Sequence, residues 1–254
     1  MMDERDSAAA FPAFEIEGAD RPARWLITCE HATNVVPPSV NGGCLGVPAA
    51  DMGRHIAYDI GAAGVARRLA ERLSAPAIFS TFSRLVIDPN RGEDDPTILM
   101  QLYDGTVIPG NRRLDAAERE RRLELFHRPY HRAVAELACR RDDTVIVAMH
   151  SFTPRLLGRM ERPWQIGILH AREDAFAKAL IALLMRDPDL IVGDNEPYSG
   201  SLPGDLIDRH ALAHGRPHAL IELRHDLIVE SREQLAWADR LAPIIEEALE
   251  SSGA

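Results

Sequence analysis

Short apolar segments rich in β-branched residues alternate along this chain with longer amphipathic segments, and this alternation restricts the possible folds more than any other feature. The apolar segments predict buried strands at Trp25–Cys29, Ala77–Ser83, Leu85–Asp88, Thr144–Met149, Gln165–Leu169, Leu190–Val192 and Ala219–Leu223. The amphipathic segments predict helices at Asp51–Leu73, Asp115–Arg141, Glu173–Met185, Asp205–Ala213 and Arg232–Leu249. Asp51 is the expected N-cap of the first helix, and Pro129 should kink or divide the second.

The order of these elements predicts the fold class. Strands separated by helices of this length pair in parallel, and the connecting helices cover both faces of the sheet. We therefore expect an α/β fold, a three-layer α/β/α arrangement around a mostly parallel central sheet. No linker rich in Gly, Ser or Pro divides residues 1–254, so we expect one domain, with residues 1–22 forming a peripheral arm.

Charge and hydropathy exclude several classes of protein. The net charge of −10 is a poor match to nucleic acid or to an anionic membrane surface. No apolar run approaches the roughly 20 residues of a membrane helix, and the N-terminus lacks a basic segment followed by an apolar one. We expect a cytoplasmic protein that binds neither nucleic acid nor membranes. Cys29, Cys44 and Cys139 are an odd count without CxxC spacing, which argues against a disulfide framework or a thiolate zinc site.

Polar residues with catalytic potential follow the predicted strands. In open parallel sheets, ligands bind outside the carboxyl ends of the strands. The residues at these ends are Glu30, His31, Asp88, Asn90, Arg91, His150, Ser151, Asp194, Asn195, Glu196, Glu222, Arg224 and Asp226. Two histidines with several carboxylates are typical of a divalent-metal hydrolase. Each histidine alone is also explained by a bond to a nearby carbonyl, and the segment from Asp88 to Arg91 by turn geometry.

Glu222 is harder to explain without a function. It lies within an apolar strand, next to Ile221 and Leu223, so its carboxylate must find a partner or remain protonated. His55 and Asp59 are spaced i, i+4 on the first predicted helix. From there Asp59 could reach a metal held by His31. Alternatively, it could accept a hydrogen bond from a metal ligand, or His55 and Asp59 could simply be an exposed pair.

A second histidine pair, His127 and His131, is also spaced i, i+4 on a predicted helix. Metal ligands can have this spacing. Pro129 and the surrounding arginines instead favour a solvated or partner-facing helix.

Five segments, in chain order, resemble the N-formylglutamate amidohydrolase family. They run from Cys29 to Asn34, Ser83 to Arg91, Met149 to Pro154, Gly193 to Ser199 and Ile221 to Asp226, and they span most of the chain. The resemblance implies metal-dependent cleavage of the linear amide bond of a small acidic N-acyl amino acid. N-formyl-L-glutamate, giving formate and glutamate, is the substrate that the family name implies.

A more distant likeness to zinc carboxypeptidases implies a zinc-exopeptidase-like (phosphorylase/hydrolase-like) fold and suggests residue roles. By this likeness His31 and His150 would bind one divalent metal, Zn²⁺, and Glu222 would be the general base. The carboxypeptidase His-x-x-Glu motif is absent, because Asn34 stands three residues after His31. The carboxylate ligand therefore stays open between Asp59, which we prefer, and Glu30.

The same resemblance assigns the remaining polar residues to substrate binding. Arg91, supported by Asn90, has the planar fork that pairs with a carboxylate. Arg84 or Arg224 would hold a second carboxylate or the oxyanion, and Tyr198 would close over the ligand from a loop that also carries Asn195.

Two alternatives remain. The first is a zinc hydrolase for another amide bond, such as a carboxypeptidase or a cell-wall amide hydrolase. The second is a non-catalytic protein that keeps the fold and uses Arg91 and Arg224 to hold a carboxylated ligand.

Overall fold

The structure of this protein is a computed structural model that describes residues 11–171, 175–200 and 202–253. Its strands are β1 (Phe14–Glu17), β2 (Trp25–Cys29), β3 (Ala77–Ser80), β4 (Leu102–Tyr103), β5 (Thr106–Val107), β6 (Val145–Phe152), β7 (Ile166–Leu169), β8 (Val192–Asp194) and β9 (His218–Arg224). Its α-helices are α1 (Ala49–Met52), α2 (Ala62–Arg72), α3 (Ala116–Arg122), α4 (Arg128–Ala138), α5 (Ala175–Leu184), α6 (Leu206–His210) and α7 (Ser231–Ser252).

Seven strands form one mixed sheet in the order β1-β3-β2-β6-β9-β7-β8, and β4 and β5 form a separate hairpin. The four central strands β3, β2, β6 and β9 run parallel. At the edges, β1 is antiparallel to β3, and β7 is antiparallel to β9, with β8 parallel to β7. The predicted α/β class with a mostly parallel sheet is confirmed, and the parallel centre brings the carboxyl ends of β2, β6 and β9 together.

Helices cover both faces of this sheet. Successive side chains of the central strands point to opposite faces, and both sets are largely apolar. Ile27, Val147 and Ile221 pack in one cluster with α2, α5 and α7. Leu26 and Ala148 face the other side, where they pack with α4 and α6. The predicted three layers are thus present.

The predicted helix Asp51–Leu73 is wrong as one element. Its apolar spacing continues through residues 53–61, but these residues form turns between α1 and α2. Asp51 lies inside α1 and does not cap it. Gly61 precedes α2 with φ +79°, and a Cβ there would lie 2.1 Å from the carbonyl oxygen of Ile228, so the close approach of the chain requires glycine.

The predictions around β3 also need correction. The strand predicted at Ala77–Ser83 ends at Ser80, and Leu85–Asp88 is a buried turn instead of a strand. This turn is apolar because Leu85 packs in a third cluster beneath the long loops. The turn is tied down where the Asp88 N–H donates to the carbonyl of Ile98, at 2.8 Å.

The long helix predicted at Asp115–Arg141 is divided. It consists of α3, a π-helical turn at Leu123–His127, and α4, which begins at Arg128. Pro129 lies in the first turn of α4, where its missing N–H costs no intrahelical bond. The division at Pro129 was predicted, whereas the π-helical turn was not.

Two strand boundaries move. The strand predicted at Thr144–Met149 continues to Phe152, because His150 to Phe152 pair in register with β9. The strand predicted at Leu190–Val192 is shifted to β8 (Val192–Asp194). Because β8 is parallel to β7, and β7 is antiparallel to β9, the carboxyl end of β8 lies at the opposite edge of the sheet from those of the central strands.

The predicted arm at residues 1–22 contributes the edge strand β1, which pairs with β3. Residues 1–10 of that arm and the start of the helix predicted from Glu173 lie outside the described residues. Within the described part of the chain, no helix is both long and apolar enough to cross a membrane.

Candidate active site

Three buried side chains meet at the carboxyl ends of β2 and β6. His31 follows β2, His150 lies near the end of β6, and Asp59 lies in the turns before α2. Asp59 Oδ2 is 3.3 Å from His31 Nδ1 and 2.7 Å from His150 Nδ1. One ligand atom from each residue lies within 4.8 Å of the other two, so this group could hold a metal ion.

Asp59 reaches the two histidines from a turn and not from a helix. Its backbone N–H donates to the carbonyl of His31 at 2.9 Å, which fixes the turn against the end of β2. The backbone N–H of Ser151 donates to Asp59 Oδ2 at 3.2 Å. Burial alone would raise the pKa of the Asp59 carboxyl, but the imidazoles of His31 and His150 outweigh burial and lower it. Asp59 is therefore an anion held between two imidazoles.

Each imidazole has a second carboxylate behind it. His31 Nε2 is 2.7 Å from Asp88 Oδ1, and His150 Nε2 is 2.6 Å from Glu30 Oε2, although the latter pair is poorly aligned for a hydrogen bond. Tyr130 on α4 donates its hydroxyl to Glu30 at 3.0 Å. A carboxylate behind each ring fixes which nitrogen carries the proton and leaves Nδ1 for a ligand. Glu30, the alternative ligand, thus lies on the far side of His150 from Asp59.

Glu222 lies beside this trio. It pairs in register with His150 across β6 and β9, so both side chains leave the same face of the sheet. Among the described residues, its Oε2 atom has no hydrogen-bond partner although it is buried. Burial raises the pKa of Glu222 to about 8, with Asp59 adding to the effect and His150 opposing it. A buried carboxyl without a partner beside a candidate metal centre is a candidate acid or base.

A cavity of about 100 Å³ opens onto Glu222 and the trio. Arg91 and Asn90 line it from the loop after the Leu85–Asp88 turn. Arg91 is half-buried and donates to the carbonyl of Asn90 and to Thr97 Oγ1 through Nη1 and Nε. No bond within the described chain uses its Nη2, so part of the guanidinium faces the cavity without a partner.

Arg84 and Tyr198 also line the cavity. Arg84 is buried and donates twice to Asp88 Oδ2, at 2.7 and 3.1 Å. That ion pair occupies much of its guanidinium. Arg162 donates to the Tyr198 hydroxyl at 3.0 Å and stacks on its ring at 4.9 Å from the centroid. Tyr198 is thereby held at the rim.

Arg224 and Asn195 do not line this cavity. Arg224 is paired with Asp226 at 2.8 Å. Asn195 Oδ1 accepts from the backbone N–H groups of His170 and Gly200, both at 3.0 Å, so this side chain shapes the loop. Of the two predicted residues in the loop after β8, Tyr198 therefore lines the cavity and Asn195 does not.

His127 and His131 are buried, so the prediction of a solvated or partner-facing histidine pair is wrong. His127 Nε2 lies 2.9 Å from the carbonyl oxygen of Arg91, and His131 Nε2 lies 2.9 Å from that of Pro89. His131 Nδ1 is 2.9 Å from His210 Nε2 on α6. Burial lowers the pKa of all three imidazoles. These neutral rings hold the backbone of the loop that presents Arg91.

Sequence analysis gave no role to several residues at the site. Asp88 was visible in the Asp-Pro-Asn-Arg segment, but its bond to His31 depends on the fold. Asp205 caps α6 and also lines the cavity, and burial raises its pKa to about 6. Arg162 carried no sequence signal, since it lies in a loop far from any predicted strand end.

The arrangement can hold a divalent metal, bind a carboxylate and move a proton within one cavity. Two imidazoles and one carboxylate form the ligand set of many catalytic zinc sites, in which a further position stays open for water or substrate. Arg91 places a cation in the cavity wall, and Glu222 places a titratable carboxyl there.

This chain is similar to known proteins in sequence and in structure. The sequence profile of the N-formylglutamate amidohydrolase family matches residues 23–229. A search of curated proteins found no match. Gene product Atu2144 from Agrobacterium tumefaciens has a similar structure, with a TM-score of 0.90, 36% identity, and coverage of 97% of this chain and 98% of that chain.

A second similar structure is N-formylglutamate amidohydrolase from Ralstonia eutropha JMP134. Its TM-score is 0.67 at 21% identity, and the match covers 96% of this chain and 98% of that chain. The profile match extends over most of the chain and includes all three residues of the His31–Asp59–His150 trio. The chain therefore belongs to the N-formylglutamate amidohydrolase family.

Proposed function

We propose that this protein is a metal-dependent amidohydrolase that cleaves a small acidic N-acyl amino acid, with N-formyl-L-glutamate as the foremost substrate. The observation that carries the proposal is the convergence of His31, Asp59 and His150 beside the buried carboxyl of Glu222. The products would be formate and glutamate.

The ligand set fits zinc. Two imidazole Nδ1 atoms face one carboxylate oxygen, and the opposite nitrogens are backed by Asp88 and Glu30. We assign Asp59 as the carboxylate ligand and Glu30 as the outer partner of His150. A divalent cation held by His31, Asp59 and His150 would polarise the scissile carbonyl, lower the pKa of nearby water and favour the ionised form of Glu222.

Arg91 would orient the substrate. Its guanidinium lies in the cavity wall, and Asn90 next to it accepts at Oδ1 from the backbone N–H of Leu206, which fixes that side chain. A planar guanidinium pairs well with the carboxylate of an amino acid. Holding the carboxylate there would direct the amide bond towards Glu222 and the trio.

Glu222 would move the proton. As a carboxylate it would take a proton from water while the water oxygen bonds to the carbonyl carbon. It would then give that proton to the amide nitrogen as the C–N bond breaks, which releases the free amino group. Glu222 is suited to this role because it is buried in the cavity wall beside the trio.

Tyr198 would cover the bound substrate. Its ring lies at the rim of the cavity, stacked on Arg162, and is more than a third exposed, at 38%. Closure at this position would exclude bulk water from the amide bond.

The test is hydrolysis by zinc-reconstituted protein of N-formyl-L-glutamate beside N-formyl-L-alanine, with a chelator-treated sample as control. We expect chelator-sensitive release of formate and a preference for the acidic substrate. Zinc-loaded protein that binds N-formyl-L-glutamate without cleaving it would refute the proposal and favour a carboxylate-binding protein.

A further inference from the structure

A second cavity adjoins the first. It has a volume of about 600 Å³ and shares His55 and Thr153 with the first cavity. One wall is the loop of residues 153–159 that follows β6, and another is Asp104 in the turn between β4 and β5. Arg91 lines the first cavity only. The two cavities are therefore adjacent, and a ligand held at Arg91 that is longer than the first cavity would extend towards the second.

The second cavity carries positive charge in a chain whose net charge is −10. Arg155 and Arg159 line it and are exposed, and neither has an ion pair within the described part of the chain. Its acidic residue, Asp104, is neutralised by Arg54 at 2.7 Å. Burial lowers the pKa of His55 to about 4, so this imidazole adds no charge at neutral pH. Arg155 and Arg159 therefore make the electrostatic potential in the second cavity positive.

The loop that carries these arginines is fixed at three points. The backbone N–H of Leu157 donates to Asp104 Oδ1 at 2.8 Å, and the backbone N–H of Arg162 donates to the carbonyl of Pro154 at 2.8 Å. Thr153 Oγ1 donates to the carbonyl of Arg155 at 3.0 Å. The arginines are therefore presented by an ordered turn at the edge of the cavity.

We propose that the second cavity is a subsite for a carboxylate on the acyl side of the substrate. This inference rests on the proposed function and extends it to N-acyl amino acids whose acyl group is itself acidic. Cleavage would add water across the amide bond, break the C–N bond, and release a dicarboxylic acid and an amino acid. Arg155 and Arg159 would pair with the far carboxylate of the acyl group.

The experiment compares two substrates that differ only in the terminal charge of the acyl chain. N-Glutaryl-L-glutamate carries a terminal carboxylate, and its isostere carries a carboxamide at the same position. For zinc-reconstituted protein at low salt, we expect kcat/KM to favour the carboxylate about fivefold, the size expected of exposed ion pairs. The preference should shrink at high salt, because both arginines are exposed.

Matched double variants assign the preference to the two arginines. The ratio of the two kcat/KM values should fall to about one in R155Q/R159Q. It should stay at the wild-type value in R112Q/R113Q, which removes two other exposed arginines.

The outcomes separate this inference from the function on which it rests. Equal kcat/KM for both glutaryl substrates in a protein that cleaves N-formyl-L-glutamate would overturn the subsite and leave the amidohydrolase standing. A preference that survives in R155Q/R159Q would also overturn it. Failure to cleave any of the three substrates would overturn the proposed function and this inference with it.

Discussion

Glu222→Gln is expected to stabilise the metal-free protein at neutral pH. Burial raises the pKa of Glu222 from its ordinary value of 4.5 to about 8, so the folded protein retains a proton that the unfolded chain releases. The stabilising contribution of the protonated group is complete below about pH 4.5 and is lost as the pH rises to about 8. At pH 7 this loss is about 3 kcal/mol. Glutamine does not ionise and so avoids this loss, but it buries an amide donor at a cost of about 1–3 kcal/mol. We therefore expect a net gain of about 1 kcal/mol in the free energy of unfolding.

The assay is urea unfolding in the presence of a chelator at about pH 5 and pH 7.5. The free energy of unfolding of Glu222→Gln, relative to wild type, should rise between the two pH values. Glu246→Gln, an exposed substitution on α7, should follow the wild type at both. If Glu222→Gln and wild type show the same pH dependence, the reasoning from burial is refuted.

The same variant tests the catalytic role. With zinc restored, Glu222→Gln should bind the metal as the wild type does and lose turnover by a factor on the order of 10² or more, as expected of a missing general base. Normal turnover would show that another group moves the proton.

Three further predictions follow from the site. His150→Ala should lose zinc, measured by mass spectrometry of metal content, whereas His170→Ala, a buried histidine outside the trio, should keep about one zinc per chain. Arg91→Lys should raise KM for acidic substrates about tenfold with a smaller change in kcat, because lysine lacks the planar fork, and Arg112→Lys should not. Burial lowers the pKa of His210 to about 4. Between about pH 6.5 and 4, this histidine is therefore protonated in the unfolded chain but stays neutral in the folded protein. The free energy of unfolding of the wild type, relative to that of His210→Gln, should therefore fall on acidification through this range, and an unchanged difference would contradict the burial of a neutral His210.

The sequence predicts the α/β class well, because a buried parallel strand such as β6 must be apolar on both faces. It does not predict the direction of an edge strand. The apolar segment of β7 reads the same whether the strand runs parallel or antiparallel to β9, and only the pairing of Ile166 with Leu223 shows the reversal. The reversal places the carboxyl ends of β7 and β8 at the opposite edge of the sheet from the carboxyl end of β9.

Asp59 shows how a residue can be predicted for the wrong local reason. Its i, i+4 spacing from His55 suggested a shared helix face, but both residues lie in turns. The apolar spacing continued through these turns because Ile56 and Ala57 are buried, and Ala57 packs in the cluster beneath the long loops. The bond from the Asp59 N–H to the carbonyl of His31 joins residues far apart in sequence, so no local pattern could reveal it.

The choice between Asp59 and Glu30 follows from how buried charges must be arranged. A buried carboxylate needs partners for both oxygens, and Glu30 has Tyr130 on one side and His150 on the other. Asp59 instead directs one oxygen at both imidazoles, where each presents Nδ1. If Glu30 were a ligand, His150 would have to turn its Nε2 away from it and leave Glu30 without a partner in the core. The observed arrangement places an imidazole beside each of Asp59, Glu30 and Asp88 with one orientation of each ring, with Asp59 facing the shared point and Glu30 and Asp88 behind the imidazoles.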